Sequence, residues 1–175
     1  MTVEAQRKMM GSLKAFDKND HDEYDSKGKL AMMDFLNRKL GANCTTIENP
    51  NKYGIDLLTL NQKGEVIHCW EIEVRYGNWK GDVKFPFSDI NCIERKDYQW
   101  RKDQELYDKI PYRVLDAATV AYVQLNNECT RAVIIDSKDI LKQPLKPWAN
   151  RKSSNEYVRQ VPISETLQVK ISPIS

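Results

Sequence analysis

The segment from residue 55 to residue 75 constrains the fold of this 175-residue chain more than any other part of it. Two β-rich runs, residues 55–60 and 66–75, flank the polar sequence Asn-Gln-Lys-Gly-Glu, whose asparagine and glycine favour a turn. Runs of this kind on either side of a short turn pair as an antiparallel hairpin. We therefore predict that the two runs are neighbouring strands of a β-sheet.

One helix is well marked ahead of the hairpin. Residues 29–40 place Met32, Leu36 and Leu40 on one face, as an amphipathic helix requires. Gly41 follows directly, in the position where a glycine commonly ends a helix. The pattern predicts a helix that begins at residue 29.

Turn residues and apolar runs mark the other elements. A charged segment that ends before Pro111 predicts a helix, and two β-rich runs joined by Asn-Asn-Glu-Cys predict a second antiparallel pair. The further helices are predicted at residues 2–16, 94–108 and 137–141, the further strands at 89–93, 119–125 and 130–135, and irregular structure at 17–25, 41–54 and 76–88.

Together these elements predict a single domain, residues 1–175, of the α/β (α+β) class, with a central mixed β-sheet flanked by helices. Its core spans residues 25–141 and follows the N-terminal helix 2–16. Residues 142–175 contain four prolines, so we expect an irregular C-terminal tail with one strand near residues 167–171.

The composition excludes several classes of protein. Lys and Arg number 27 against 25 Asp and Glu, and this net charge of +2 is far from that of a dedicated nucleic-acid coat protein. No apolar run approaches the roughly 18 residues that cross a membrane, and the first residues lack the apolar core of a secretion signal. The four scattered cysteines predict free thiols. We expect a cytosolic protein with no membrane partner.

Acidic residues gather on one face of the second hairpin strand. Side chains alternate along a strand, so Glu71, Glu73 and Arg75 share a face. The Cα atoms of the two glutamates lie roughly 6 to 7 Å apart, and their repulsion is costly unless a cation lies nearby. Asp56, in the preceding strand, is a third carboxylate that pairing brings opposite them. Oxygen ligands of this kind suit Mg²⁺ or Mn²⁺, whereas an ordinary solvated face is the alternative.

This arrangement resembles the PD-(D/E)XK nuclease superfamily, in which an Asp on one strand and an acidic-x-basic triplet on the next strand form a metal site. Ile55-Asp56 stands where the family has Pro-Asp, residues 71–75 stand where it has the triplet, and the helix before Gly41 matches its first core helix. The resemblance covers residues 25–135. It implies a restriction-endonuclease-like fold and a Mg²⁺- or Mn²⁺-dependent deoxyribonuclease that hydrolyses phosphodiester bonds in duplex or branched DNA, in the cytoplasm of a bacterial or phage-infected cell.

The triplet can be aligned with the family in two registers. With Glu73 as the acid, Arg75 takes the place of the usual lysine; with Glu71 as the acid, Glu73 takes it. Arginine stays protonated, so it can orient a phosphate or water but hardly accept a proton. We favour the second register, with Asp56, Glu71 and Glu73 as metal ligands and Arg75 as a phosphate contact, and the first register stays open.

Basic residues downstream are predicted to contact DNA. Arg95 and Lys96 follow the metal strand, as in phage and bacterial members of the superfamily; Lys96 would supply the missing amine and Arg95 would hold the backbone. Lys80 and Lys84 lie among aromatic residues in the loop 76–88 and are further candidates. The alternatives are a basic turn ahead of a solvated helix, and aromatic residues that pack the loop onto the core.

Two other functions stay open. A protein of the same fold could bind DNA without cleaving it, because the triplet lacks the usual lysine, and a net charge of +2 is compatible with a regulatory or protein-interaction domain. A homodimer is also compatible with the sequence. Some family members carry another acidic residue where Glu23 and Asp25 stand, although a soluble acidic loop is the favoured interpretation there. The predicted catalytic residues are Asp56, Glu71, Glu73, Arg75 and Lys96.

Overall fold

Helix α1 (Lys18–Leu40) opens the part of the chain that the computed structural model describes, which is residues 18–150 and 153–171. The helix predicted over residues 2–16 lies outside this part. α1 begins well before the predicted start at residue 29, so the expectation of irregular structure in the acidic segment is wrong from Lys18 onward.

Contacts with distant residues explain the length of α1. Tyr24 stacks on Tyr76, with ring centroids 4.9 Å apart. One turn further on, Gly28 is buried so closely against the sheet that an added Cβ would lie 2.5 Å from a methyl group of Val74. Acidic residues are also favourable in the first turns of a helix, because they complement its dipole. Tyr24 and Gly28 thus hold α1 against Tyr76 and the sheet without an apolar repeat in the sequence.

Six strands form one mixed sheet and three form a second, smaller one. In chain order the strands are β1 (Cys44–Glu48), β2 (Leu57–Asn61), β3 (Val66–Arg75), β4 (Asp89–Ile93), β5 (Val114–Asn126), β6 (Arg131–Asp136), β7 (Leu145–Asn150), β8 (Ser153–Pro162) and β9 (Leu167–Lys170). The order in the large sheet is β1-β2-β3-β5-β6-β9, antiparallel throughout except for the parallel pair β3–β5. The mixed α/β class and the hairpins β2–β3 and β5–β6 are confirmed.

Strand β1 falls in the segment 41–54, where the prediction of irregular structure is wrong. Its central residue Thr46 is held by two neighbours. The amide side chain of Asn37 in α1 accepts from Thr46 N at 2.7 Å and donates to its carbonyl at 3.1 Å, and the hydroxyl groups of Thr46 and Thr59 lie 2.8 Å apart. The short polar run has no clear alternation, so these contacts decide its conformation.

The C-terminal tail is more ordered than predicted. β7 and β8 join β4 in the second sheet, in the order β4-β8-β7, and β9 lies where a strand was expected. The prolines misled the prediction, since Pro147 lies in the edge strand β7 and Pro162 is the last residue of β8, both positions where a missing N–H is tolerated.

The charged segment predicted as one helix over residues 94–108 is broken into three pieces. A 3₁₀ turn (Glu94–Lys96) leads into α2 (Asp97–Trp100), and α3 (Gln104–Asp108) follows. Lys102 lies between them with a φ of +52°, a left-handed conformation that ends a helix. The helix predicted near residue 137 is confirmed as α4 (Ser137–Lys142), capped by the Asp136 carboxylate, which accepts from Lys138 N at 2.8 Å.

Two hydrophobic clusters cover the two faces of the large sheet. Helix α1 packs on one face, over Ile72 and Val74, whereas β4, β8 and the short helices cover the other, over Cys69. The pairing register of β3 shifts between Val66 and His68, so Val66 packs beside Cys69 and not beside Ile72 as strict alternation predicts.

The free thiols predicted from the sequence are confirmed. All four cysteines are free thiols. Within the described residues, no helix combines the length and apolar character that a membrane crossing requires.

Candidate functional site

Four of the five predicted catalytic residues line one cleft of about 320 Å³ beside the β2–β3 hairpin. We call it the acidic cleft. Asp56 stands directly before β2, Glu71 and Glu73 project from β3, and the 3₁₀ turn after β4 supplies the basic residues. Its acidic and basic lining residues are Asp25, Asp56, Glu71, Glu73, Arg95 and Lys96. Four segments that are far apart in the sequence therefore meet at this cleft.

Asp56 is largely buried, with 15% of its side chain exposed. One carboxylate oxygen accepts from Ile72 N at 2.7 Å, and the other lies 3.2 Å from the ammonium of Lys29. Burial, and then the charge of Glu71, raise the pKa of Asp56 to about 7, although the Ile72 N–H and Lys29 oppose the shift. The cleft thus holds the ionised form of Asp56 at a cost in free energy.

Glu71 is buried and forms a close ion pair with Lys96. The ammonium nitrogen lies 2.5 Å from Oε1 of Glu71, and Gln99 Nε2 donates to Oε2 at 3.1 Å. Burial alone would lower the pKa of Lys96, but the charges of Glu71 and Glu73 outweigh it and the pKa is raised. The ammonium therefore stays protonated at neutral pH.

Glu73 leads a chain of polar side chains across the parallel pair β3–β5. Tyr122 donates its hydroxyl to Glu73, Gln124 Nε2 donates to the Tyr122 oxygen at 2.8 Å, and Arg75 Nε donates to Gln124 Oε1. Burial and the neighbouring charge of Glu73 raise the pKa of Tyr122, which keeps its proton. These bonds fix the positions of the Glu73 and Arg75 side chains above the sheet.

Arg75 is directed away from the acidic cleft. Its guanidinium lies 5.3 Å from the ring centre of Phe85 and 5.6 Å from that of Phe87. It lines an adjoining cleft of about 410 Å³, which we call the amide cleft because side-chain amides dominate its polar lining. Its polar and aromatic lining includes Arg75, Asn78, Phe87, Asn91, Trp148 and Gln160, together with the carboxylates of Glu73 and Asp89. Of the five predicted catalytic residues, four therefore line the acidic cleft, and Arg75 lies beside it.

The predicted DNA contacts are divided in the same way. Arg95 is exposed and lines the acidic cleft, next to Lys96. Lys80 and Lys84 are exposed on the loop between β3 and β4, outside the lining of both clefts. Trp79 in the same loop is buried, so part of the aromatic cluster packs the loop onto the core.

Asp25 lines the acidic cleft from helix α1, whereas Glu23 is exposed and does not line it. Asp25 shares Lys29 with Asp56, because the Lys29 ammonium lies 2.8 Å from a carboxylate oxygen of Asp25. Burial opposes the protonated form, but Asp25 and Asp56 raise the pKa of Lys29. The soluble acidic loop favoured from the sequence is instead a helical turn that faces the cleft.

Sequence reasoning missed four side chains that organise the site: Lys29, Gln99, Tyr122 and Gln124. Gln124 carried a signal, since it is a polar residue between Val123 and Leu125 in a predicted strand and is 1% exposed in the structure. A polar side chain at such a position needs a buried partner. Lys29 and Gln99 lie in charged segments where nothing distinguishes them from solvated residues.

The carboxylates of the acidic cleft have protein partners. Among residues that the structure describes, no group of three or more His, Cys, Asp or Glu side chains is placed to hold a metal ion. Asp56 forms an ion pair with Lys29 and Glu71 forms one with Lys96, whereas Glu73 accepts a hydrogen bond from Tyr122. All the carboxylate donors are nevertheless hard oxygen ligands, and burial followed by the charge of Glu71 raises the pKa of Asp56, a cost of ionisation that a divalent cation would reduce. The donor atoms are thus of the type that Mg²⁺ or Mn²⁺ takes, whereas the described side chains are arranged in ion pairs with Lys29 and Lys96.

The geometry of the acidic cleft is the main indication of what it does. Its acids and lysines come from separated segments, and the motif that first indicated them is short. No protein-family model matches the chain, and no curated protein is significantly similar to it.

Proposed function

We propose that this protein is a metal-dependent DNA endonuclease of the PD-(D/E)XK type, with a restriction-endonuclease-like fold, which hydrolyses phosphodiester bonds in the cytoplasm of a bacterial or phage-infected cell. One observation carries the proposal: Asp56, Glu71, Glu73 and Lys96 line a single cleft. The hairpin β2–β3 supports it as well, because it holds the first acid beside the acidic strand.

Asp56, Glu71 and Glu73 would hold Mg²⁺ or Mn²⁺. A bound ion of this kind lowers the pKa of a coordinated water and stabilises negative charge on a phosphate. Glu73 suits the third ligand position, because it is exposed at the mouth of the cleft and its one described partner is a neutral hydroxyl. The direction of Arg75 supports the register in which Glu71 is the acid and Glu73 replaces the usual lysine.

Lys96 and Arg95 supply the positive charge. The Lys96 ammonium lies among the carboxylates and stays protonated, so it can neutralise charge that develops on a phosphate bound beside it. Arg95 lies at the exposed rim, where a guanidinium can hold two phosphate oxygens at once.

Cleavage of DNA by the purified protein tests the proposal. We expect supercoiled plasmid, or a branched oligonucleotide duplex, to be cut in the presence of Mg²⁺ or Mn²⁺ and to stay intact in EDTA. Asp56→Ala should remove the activity, whereas Asp116→Ala, which changes an exposed acid on β5 outside both clefts, should retain it. Equal cleavage by Asp56→Ala and the parent protein would contradict the assignment.

A DNA-binding protein that does not cleave is the second candidate. It is favoured by the ion pairs of Asp56 and Glu71, in which lysines occupy the positions of a cation. Titration calorimetry separates the two candidates. Heat from Mn²⁺ binding that disappears in Asp56→Ala supports the nuclease, whereas DNA binding in EDTA without any Mn²⁺ binding supports the second candidate.

A further inference from the structure

The amide cleft adjoins the acidic cleft and shares Glu73 and Ile93 with it as lining residues. Its volume of about 410 Å³ is within the range of about 300 to 1,000 Å³ that is usual for small-ligand sites. None of the roles described above uses its aromatic and amide side chains. A chemical group that fills it would lie directly beside the carboxylates of β3.

The amide cleft combines flat apolar surfaces with hydrogen-bonding groups. Phe87 and Trp148 supply the aromatic surfaces, and 42% of Phe87 is exposed. Asn78, Asn91 and Gln160 supply amides that can both donate and accept. Gln160 Nε2 donates to Asn91 Oδ1 at 3.2 Å, which leaves Asn91 Nδ2 without a hydrogen-bond partner among the described residues.

Arg75 adds a fixed cation to one wall. Its Nε is bonded to Gln124 and its guanidinium faces the rings of Phe85 and Phe87, so its position is set before any ligand arrives. A guanidinium of this kind can stack on a planar ring or contact a phosphate oxygen. The cleft therefore offers stacking surfaces, amide hydrogen bonds and one positive charge, beside the carboxylates of Glu73 and Asp89.

We propose that the amide cleft binds an unpaired nucleobase of the DNA whose backbone lies at the acidic cleft. Nucleobases are planar rings whose edges carry both donors and acceptors, and single-stranded nucleic acid is commonly bound by stacking on aromatic side chains. A paired base cannot enter, because both its faces and its pairing edge are occupied in the duplex. The inference rests on the proposed function and selects branched or single-stranded regions of DNA as its substrate class.

The shared wall connects the base to the phosphate. Glu73 is common to both clefts, so a nucleotide that places its phosphate near Glu71 and Glu73 would have its own or its neighbour's base within reach of Phe87. Recognition of an unpaired base would then position the scissile phosphate next to it. DNA that lacks an unpaired nucleotide loses this contact.

Binding measured in EDTA tests the inference independently of cleavage. Two labelled DNA molecules of equal length are compared. One is a fully paired duplex, and the other has an unpaired flap whose first nucleotide, next to the junction, is 2-aminopurine. We expect the flapped DNA to bind about tenfold more tightly, in line with one base stacked on an aromatic side chain. We also expect the fluorescence of 2-aminopurine to be quenched on binding.

Substitutions in the cleft locate the contact. Phe87→Leu keeps apolar packing against Phe85 but removes the ring, and Trp148→Leu removes the second aromatic ring from the cleft. Each substitution should bring the affinity for flapped DNA closer to the affinity for the fully paired duplex. Tyr53→Ala is the matched control, because Tyr53 is an aromatic residue that is 71% exposed and lines neither cleft, and it should keep the preference of the parent protein.

The outcomes separate the inference from the proposed function. Equal affinity for the two DNA molecules, or a preference that survives both Leu substitutions, would overturn the nucleobase site even if the protein cleaves DNA. A preference that both substitutions abolish supports the site even if no metal restores cleavage, in which case the nuclease proposal fails by itself.

Discussion

Asp56 shows how a single residue sets the balance between stability and function. Its carboxylate is largely buried, receives one backbone hydrogen bond and faces Glu71, and its pKa is raised to about 7. A carboxyl group whose pKa is higher in the folded than in the unfolded protein reduces stability when it ionises. The same buried charge is what makes the residue suitable as a ligand for a cation.

Asp56→Asn is therefore expected to stabilise the protein at pH 8 in EDTA. Because the pKa of Asp56 is higher in the folded than in the unfolded protein, ionisation of Asp56 lowers the free energy of unfolding. This loss of stability is absent below the pKa of the unfolded chain, near 4, and is fully present once the pH exceeds the folded pKa of about 7. The gain from Asn should be on the order of 1–3 kcal/mol at pH 8, and it should vanish as the pH falls to 4. Urea unfolding of both proteins at several pH values measures it, and a gain that is the same at every pH would contradict the assignment of the pKa.

At the scale of elements, helix α1 is attached to the sheet at Gly28. A Cβ at this position would lie 2.5 Å from Val74 Cγ2 and 3.2 Å from Leu125 Cδ1. The close approach places Asp25, one turn before Gly28, at the acidic cleft and brings the adjacent Lys29 to Asp56. The helix thus contributes to the site because a glycine lets it approach the sheet.

Gly28→Ala should lower the free energy of unfolding by about 1–3 kcal/mol, since overpacking outweighs the better helix propensity of alanine. Gly77→Ala is the control, because a Cβ there meets no atom within 4 Å. Gly28→Ala should cost less stability in a Val74→Ala background than in the parent protein, because Val74→Ala removes the methyl group that the new Cβ would meet. Denaturant unfolding of the four variants gives the coupling, and a zero coupling energy would exclude this contact as the cause.

Strand β8 is tied to the segment that carries Lys96. Arg159 binds Asp97 through Nη2 at 2.8 Å and through Nε, and both side chains are largely buried. Arg159→Met would leave the Asp97 charge buried without a cation, which should cost about 3–5 kcal/mol. Adding Asp97→Asn should restore part of this stability. Thermal unfolding of the single and double variants measures the effect, and an unchanged melting temperature in Arg159→Met would show that the pair does not hold the two elements together.

At the scale of the whole molecule, the net charge of +2 leaves little general attraction for DNA. Under the proposed function, DNA binding would depend on where the basic residues lie. Arg95 is at the acidic cleft, and Lys80 and Lys84 are exposed on the loop between β3 and β4. This distribution predicts a DNA surface that is local and sensitive to salt.

Each of the substitutions Arg95→Ala, Lys80→Ala and Lys84→Ala should weaken DNA binding without changing sequence preference. Each lost phosphate contact should reduce the slope of log affinity against log salt by about 0.9 on duplex DNA. Lys63→Ala, in the exposed turn of the β2–β3 hairpin at the end away from Arg75, is the control and should leave the slope unchanged. Fluorescence anisotropy in EDTA at several salt concentrations measures the slopes, and equal slopes for all four variants would exclude the three residues as contacts.

The sequence was sufficient to predict the bounds of β3, the hairpin with β2, the pair β5–β6 and the shared face of Glu71 and Glu73. These features depend on neighbouring residues, because alternation and turn composition act within a few positions of the chain. The prediction failed where distant residues decide, as in the first half of α1, in β1 and in the C-terminal strands.

Only the tertiary structure decided the partners within the acidic cleft. The pairing of Lys29 with Asp56, of Lys96 with Glu71 and of Tyr122 with Glu73 joins positions that are 25 or more residues apart. The parallel pairing of β3 with β5 turned Arg75 toward Gln124 and the aromatic rings, and no local pattern encodes that pairing. Local alternation sets the face on which a side chain lies, whereas the packing of distant elements sets what it meets there.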